Sequence, residues 1–303
     1  MIYDIIVIGA GAAGMNAAIY ANRAGAKVLL VEKGAPGGQL VTTSEVENYI
    51  GFDTVDGAEL SLKMFDHTMS FGVEYEYGNV QKIIDGPIKQ VVTEEQTFEA
   101  KAVIISTGMN PKTLGAENEE RFLSNGISWC AICDGNFYKG REVVVVGGGN
   151  AAIEESIYLS GIVNKVTVLA RNTLRASKVY IERALSKPNI EIIKQRSIVR
   201  WLGDNKMQGA VIKNNETGEN EELAFDGAFL FIGWDPNTAV FEDLGIVGDD
   251  GFIISNKKME TSVPGIFACG DVIQKDVRQI ATAIGDATIA GLNAQKYVEQ
   301  MDE

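Results

Sequence analysis

Two copies of one unit constrain this chain more than any other feature of it. The unit is a short apolar strand that runs into a glycine-rich turn and then a helix. The first copy opens with Ile2–Ile8, an apolar run of strand length ended by glycine. It continues through Gly9-Ala10-Gly11-Ala12-Ala13-Gly14, which reads G-x-G-x-x-G. Helical character follows from Ala17 to Ala24, and then a second strand, Lys27–Val31, ends in Glu32. Glu32 stands 18 residues after Gly14, close to the ~20 expected of an acid that binds a ribose hydroxyl. Each glycine has a physical task. Gly9 permits the tight turn, Gly11 lets a pyrophosphate approach the backbone, and Gly14 allows close helix–strand packing. The helix N-terminus then faces the phosphates.

The second copy runs from the strand Arg141–Val146 through Gly147-Gly148-Gly149-Asn150-Ala151-Ala152, which matches G-x-G-x-x-A. Ile153–Leu159 continues as helix and Lys165–Val168 as strand. Gly147, Gly149 and Ala152 take the positions of the three fingerprint residues. The expected fold is therefore α/β, with two dinucleotide-binding Rossmann-like domains. No acid stands at the end of the second copy's last strand; Arg171 and Arg175 follow instead and suit a 2′-phosphate.

Between the two copies lies Trp129-Cys130-Ala131-Ile132-Cys133-Asp134-Gly135. The C-x-x-C spacing puts two sulfurs within reach of one disulfide and makes each the exchange partner of the other. Asp134 follows at once and can supply a proton to a leaving thiolate. A zinc site would need two further ligands, and the chain offers only Cys269 and His67, both far away in sequence. No metal is expected. Two dinucleotides with a dithiol beside the second point to an electron-transfer enzyme rather than a passive binder. Cys269 reads as a small packing residue, and His67 as a helix residue within Ala58–Phe71.

The 303 residues suffice for two domains. Twenty-seven basic against 41 acidic residues give a net charge of −14, which argues against nucleic-acid binding. Met1–Ala13 is interrupted by Asp4, lacks a basic start and is followed by glycines, so no signal peptide is expected. No run approaches a membrane span. Three cysteines, two of them in the C-x-x-C, fit a reducing cytoplasm. Against the acidic whole, the stretch from Lys165 to Lys206 holds ten basic and three acidic residues. It is either a solvated basic face or a docking surface for an anionic ligand or an acidic partner.

The remaining segments read as connecting structure. Val73–Phe98 suggests short strands with turns at Tyr77–Asn79 and Asp85–Pro87, and Ala102–Ser106 another strand. Turns at Met109–Pro111 and Gly233–Pro236 mark two domain crossings. Segments 197–203, 209–214 and 222–224 suggest a strand meander, and Ala228–Ile232 a further strand. Gly265–Asp271 is a short strand ending in Gly-Asp, and Arg278–Tyr297 a closing helix rich in small residues.

Taken together, the chain resembles the low-molecular-weight thioredoxin reductases across essentially its whole length. The resemblance is carried by Gly9–Gly14 with Glu32, Gly37-Gly38-Gln39-Leu40, Glu47-Asn48-Tyr49, Cys130-Ala131-Ile132-Cys133-Asp134, Gly147–Ala152, Gly270-Asp271 and Arg278-Gln279. It implies an FAD-binding domain built from residues 1–112 and 239–303, with a pyridine-nucleotide-type domain, residues 113–238, inserted into it. It implies that Gly9, Gly11, Gly14 and Glu32 hold the ADP part of FAD. Gln39 and Asn48 would lie near the flavin, Gly270 and Asp271 near the ribityl and pyrophosphate region, and Arg278 and Gln279 near the ring. It also implies that Cys133 faces the flavin, that Cys130 attacks the disulfide of thioredoxin or a thioredoxin-like protein, that Asp134 serves as acid, and that the protein is a homodimer.

The sequence departs from that family on the nicotinamide side. Leu169 and Ala170 stand where the NADPH motif has histidine and its first arginine, and Asn150-Ala151 replaces the usual Asp-Ser. Trp234 replaces a histidine and Ile50 a proline. NADPH is therefore expected to bind weakly and with poor preference over NADH. The branch of the family that draws electrons from ferredoxin is the alternative. Ferredoxin–NADP reductases share the architecture but lack the cysteine pair, and a non-catalytic flavin redox sensor would show no dithiol-dependent turnover with any donor.

Overall fold

The computed structural model describes residues 1–43, 45–123 and 125–302. The chain forms two compact units, one of residues 1–110 with 235–303 and one of residues 111–234.

In the first unit, strand Ile2–Ile8 lies between two parallel neighbours, Val28–Glu32 and Thr97–Ile105. Glu74–Tyr77 extends the parallel sheet beyond Val28–Glu32, and Ile266–Ala268 pairs with the far half of Thr97–Ile105. Ile5, Ile6 and Val7 have no exposed surface. A strand covered on both faces reads as an unbroken apolar run, as this one does. Val80–Ile84 and Lys89–Thr93 add an antiparallel ribbon to the near half of Thr97–Ile105.

Helix Ala12–Arg23 follows the first glycine turn and buries Ala13, Met15, Ala17, Ala18 and Ala21. Its alanines let the closing helix approach: a Cβ on Gly291 would lie 2.7 Å from the Ala17 carbonyl oxygen, and Asn16 Nδ2 donates to the Ile284 carbonyl at 2.9 Å. Helix Gly57–Ser70 is capped by Asp56, whose side chain accepts from the Glu59 N–H.

The second unit repeats the plan. Its parallel sheet runs Ile190–Lys194, Lys165–Ala170, Glu142–Val146, Gly227–Leu230, Ile127–Ser128. Helix Asn150–Ser160 follows the second glycine turn. An antiparallel meander of Arg196–Gly203, Met207–Asn214 and Asn220–Ala224 completes it.

Several sequence expectations are corrected. The closing helix spans Ile280–Asp302, not Arg278–Tyr297. Gln279 N–H donates to Thr282 Oγ1 and the Gln279 carbonyl accepts from Ala283 N–H, so the helix starts after Gln279. Met109–Pro111 and Trp234–Pro236 are short strands rather than turns. The basic stretch conceals a helix, Lys178–Leu185, and the edge strand Ile190–Lys194. Its charges are partly paired, Lys165 with Glu191 at 2.8 Å and Arg196 with Glu221 at 3.1 Å.

Candidate active site

The first glycine turn builds a cradle at the carboxyl ends of Ile2–Ile8 and Val28–Glu32. Gly9 has φ +100°, and a Cβ there would lie 2.6 Å from the Ser106 carbonyl oxygen. Gly14 brings the helix onto the turn, since a Cβ on it would be 1.7 Å from the Gly9 carbonyl oxygen. Gly11 differs from both: a Cβ on it would meet nothing within 4 Å. Gly11 is the N-cap of the helix that begins at Ala12, so the open space above it faces the N–H groups of the first helical turn, at the positive end of the helix dipole.

Glu32 braces this cradle. Its Oε2 accepts from the Ala10 N–H at 2.7 Å and its Oε1 from the Gly34 N–H at 2.9 Å. Each oxygen has a second lone pair for a ribose hydroxyl. A cavity of about 240 Å³ opens beside it, lined by Gly9, Glu32, Lys33, Val80, Thr107 and Asn237 among others.

The other residues of the first unit expected at a flavin fall into two groups. Asn48 Nδ2 donates to Gln279 Oε1 at 3.1 Å, while Gln39 Nε2 donates to the Met109 carbonyl at 2.8 Å. Asp271 follows Gly270 in a short 3-10 turn. Burial raises the Asp271 carboxyl above its usual range, against the lowering pull of Lys275 and Arg278. Its Oδ1 is 3.3 Å from Lys275 Nζ, yet it is buried and receives no well-formed hydrogen bond among the described residues. Arg278 lies 4.2 Å from the Phe252 ring centroid, and its Nη2 donates to the Ile273 carbonyl. The open step at Gly11, the Glu32 carboxylate and this unsaturated Asp271 oxygen fit an adenine dinucleotide with a polyhydroxyl chain.

Sequence reasoning passed over Lys275, which bridges Asp271 and Asp286. Cys269 is fully buried and its thiol is pushed far above the usual range by desolvation, which makes it inert. His67 is exposed and tilts against Phe71, the C-cap of its helix.

In the second unit Cys130 and Cys133 are joined by a disulfide with Cα atoms 5.3 Å apart. Cys130 caps the one-turn helix Ala131–Asp134, its sulfur accepting from the Cys133 N–H at 3.1 Å. Both cysteines are half-buried. Asp134 N–H donates to the Cys130 carbonyl, and Ser128 Oγ donates to Asp134 Oδ2 at 2.6 Å. Burial raises the Asp134 carboxyl, and the Ser128 hydroxyl draws it partly back. Tyr138, just after the dithiol turn, packs edge-on against Phe229 at 5.5 Å. Gly227 leaves room for it, since a Cβ there would lie 2.1 Å from the Tyr138 ring. Among the described residues no group of three or more His, Cys, Asp or Glu side chains is placed to hold a metal.

The second glycine turn repeats the logic of the first. Gly147 has φ +154° and packs against the Phe231 carbonyl, Ala152 is fully buried, and Gly149 faces open space at the N-cap of Asn150–Ser160. The loop after Lys165–Ala170 folds back over it. Arg175 N–H and Ala176 N–H both donate to the Gly148 carbonyl, at 2.6 and 3.1 Å, and Ser177 N–H donates to Asn150 Oδ1 at 2.8 Å. Arg175 is thereby brought to this turn with its side chain exposed; Arg171, also exposed, directly follows the strand, and its carbonyl accepts from Asn215 Nδ2 at 2.8 Å. Leu169 and Ala170, read from the sequence as lost phosphate contacts, are buried strand residues.

Residues 3–287 match the family described as pyridine nucleotide-disulphide oxidoreductase. The whole chain aligns with 96% of a thioredoxin reductase of Listeria monocytogenes at 45% identity, and with 96% of one of Bacillus subtilis at 44%. A crystal structure of thioredoxin reductase from Streptococcus pyogenes is similar over 99% of both chains, at 45% identity and a TM-score of 0.95.

Proposed function

The chain belongs to the pyridine nucleotide-disulphide oxidoreductases and is a thioredoxin-disulfide reductase, and from that premise we propose which groups carry electrons through it. FAD is assigned to the cradle of Gly9, Gly11, Gly14, Glu32 and Asp271, with Gln39, Asn48, Arg278 and Gln279 toward the ring. NADPH is assigned to Gly147, Gly149 and Ala152, with Arg171 and Arg175 at its 2′-phosphate. Bound flavin supplies the electron pair that opens the Cys130–Cys133 disulfide.

The observation that carries this reading is the half-buried Cys130–Cys133 disulfide with a half-buried carboxyl beside it, in a unit whose own glycine turn has the form of a dinucleotide cradle. Once the pair is reduced, the Cys130 thiolate attacks one sulfur of the thioredoxin disulfide. That bond breaks, a mixed disulfide forms, and the leaving thiolate takes the proton held by Asp134. The Cys133 thiolate then attacks Cys130 Sγ, releasing reduced thioredoxin and restoring the intramolecular disulfide. The homodimer belongs to the same reading.

Anaerobic addition of NADPH, NADH or reduced ferredoxin to the holoenzyme tests the donor through bleaching of the flavin. NADPH is expected to bleach it. Bleaching by ferredoxin and by neither nucleotide would instead establish the ferredoxin-linked alternative.

The loop geometry sharpens the expectation for selectivity. Arg175 sits on the turn and Arg171 directly follows the strand, both exposed, so NADPH preference should rest on these two side chains. Hydrogen bonds to charged groups are worth about 1.5–3 kcal/mol, so losing one weakens binding about tenfold or more. Arg171→Ala and Arg175→Ala are each expected to raise KM for NADPH by that factor and leave KM for NADH nearly unchanged. Equal effects on the two nucleotides would remove the arginines from the phosphate site. Ala170→Arg, which the sequence alone suggests as a gain, should instead destabilise the fold, because Ala170 is buried at the strand end.

A further inference from the structure

We propose that Ser128 is a positioning residue for the acid of the dithiol, its one hydroxyl proton switching between two acceptors as Asp134 gains and loses its own. This rests on the reading of Asp134 as the acid. Ser128 ends the edge strand Ile127–Ser128 and is only 5% exposed. Three polar atoms surround its oxygen. Asp134 Oδ2 is at 2.6 Å, the Cys130 nitrogen at 3.0 Å and the Cys130 carbonyl oxygen at 3.3 Å.

A hydroxyl has one proton to give and two lone pairs to accept with. When Asp134 is ionised, the Ser128 proton lies on Asp134 Oδ2 and one lone pair takes the Cys130 N–H. When Asp134 is neutral, its carboxyl proton is donated to the second lone pair. The Ser128 proton then turns to the Cys130 carbonyl oxygen. Both states are satisfied with no heavy atom displaced, and the peptide group of the attacking cysteine is held in each. When the leaving thiolate of the thioredoxin disulfide takes the Asp134 proton, the Ser128 proton returns to Asp134 Oδ2, and the proton count closes.

Among the described residues no other charge competes for this pair. The turn that follows carries Tyr138, whose phenol is raised by its own burial first and by Asp134 second; Arg141 and Asp226 face that phenol. Helix Asn150–Ser160, packed against the dithiol turn, carries Glu154, Glu155 and Tyr158. None of these groups makes a hydrogen bond or ion pair with Asp134 among the described residues.

The test is the pH profile of thioredoxin reduction by the holoenzyme, in wild type, Ser128→Ala, Ser128→Thr and Ser128→Val. The acid works protonated, so the rate falls as pH rises through its pKa. Ser128 donates to the ionised form and holds that pKa down. Removing the hydroxyl should move the falling limb upward by about half to one pH unit, the difference between a hydrogen bond to the ionised carboxylate and one to the neutral carboxyl. Threonine should restore the wild-type limb. Threonine and valine, equal in volume, repeat the comparison if the alanine variant does not fold.

A limb that stays in place in the alanine or valine variant, with only the melting temperature lowered, would reduce Ser128 to a structural role and overturn the proposal. Asp134→Asn separates the two readings. If the limb persists in that variant, the acid assignment itself fails. If the limb vanishes there yet is unmoved without the Ser128 hydroxyl, only the switch fails.

Discussion

Serine at either position of the cysteine pair is expected to reduce thioredoxin turnover to background while leaving the fold intact. The fold should survive because the local demand on Cys130 is that of an N-cap, accepting from the Cys133 N–H. A serine oxygen meets that demand at least as well. The chemistry should not survive, because a hydroxyl in this setting has no base to activate it and cannot form a disulfide. The two variants should differ in where electrons stop. Cys130→Ser removes the attacking thiolate, so the flavin should still reduce with the donor while thioredoxin is never attacked. Cys133→Ser leaves Cys130 without an exchange partner, so no electrons pass out of the reduced flavin. Rapid-scan absorbance of the flavin and a thioredoxin-coupled assay separate these outcomes. Undiminished thioredoxin reduction in either variant would defeat the relay.

Two glycines of the first turn are expected to fail in opposite ways when enlarged. Gly11→Val places its side chain into open space at the helix N-cap. The apoprotein should fold normally and keep its far-ultraviolet dichroism, while FAD occupancy after purification falls toward zero. Gly14→Ala is a smaller change, but its Cβ would sit 1.7 Å from the Gly9 carbonyl oxygen. That backbone atom is fixed, since Gly9 N–H is bonded to the Val31 carbonyl at 2.8 Å and Ser106 Oγ donates to the Gly9 carbonyl at 3.0 Å. The helix must move off the sheet, at a cost of about 1–3 kcal/mol or more. Gly14→Ala should therefore lower the melting temperature of the apoprotein as well as its FAD content. Full FAD occupancy in Gly11→Val would place the pyrophosphate elsewhere. An unchanged apoprotein melting temperature in Gly14→Ala would mean the helix can shift without cost.

Both dinucleotide units were legible in the residues because their determinants are local. Each needs an apolar run of strand length, glycines where a Cβ has no room, and small residues on the first helical turns. All of these fall within about thirty residues. The C-x-x-C was legible for the same reason, because three residues of separation suffice for a disulfide. Helix Lys178–Leu185 was not legible. It is short, buries only Ala184 fully, and lies in a run whose net charge masks its apolar spacing.

What the tertiary structure alone decided is which particular atoms meet, whether near or far along the chain. The start of the closing helix is one case, where Thr282 Oγ1 accepts the Gln279 N–H as a cap and the helix begins at Ile280, leaving Arg278 and Gln279 outside it. The nicotinamide side is another. Leu169 and Ala170 stand where the resemblance has a histidine and an arginine of the NADPH motif, and the parallel pairing of Lys165–Ala170 buries both. Arg175 N–H and Ala176 N–H close onto Gly148, 27 residues upstream of Arg175, and this places Arg175 at the turn. Lys275 gains its place between Asp271 and Asp286 only when the closing helix docks. Ser128, with no motif to announce it, becomes significant only because the helical turn started by Cys130 carries Asp134 back over it. Pattern and spacing report what neighbouring residues can do together. Which buried atom meets which is fixed by the packing of strands and helices whose contacts span most of the chain.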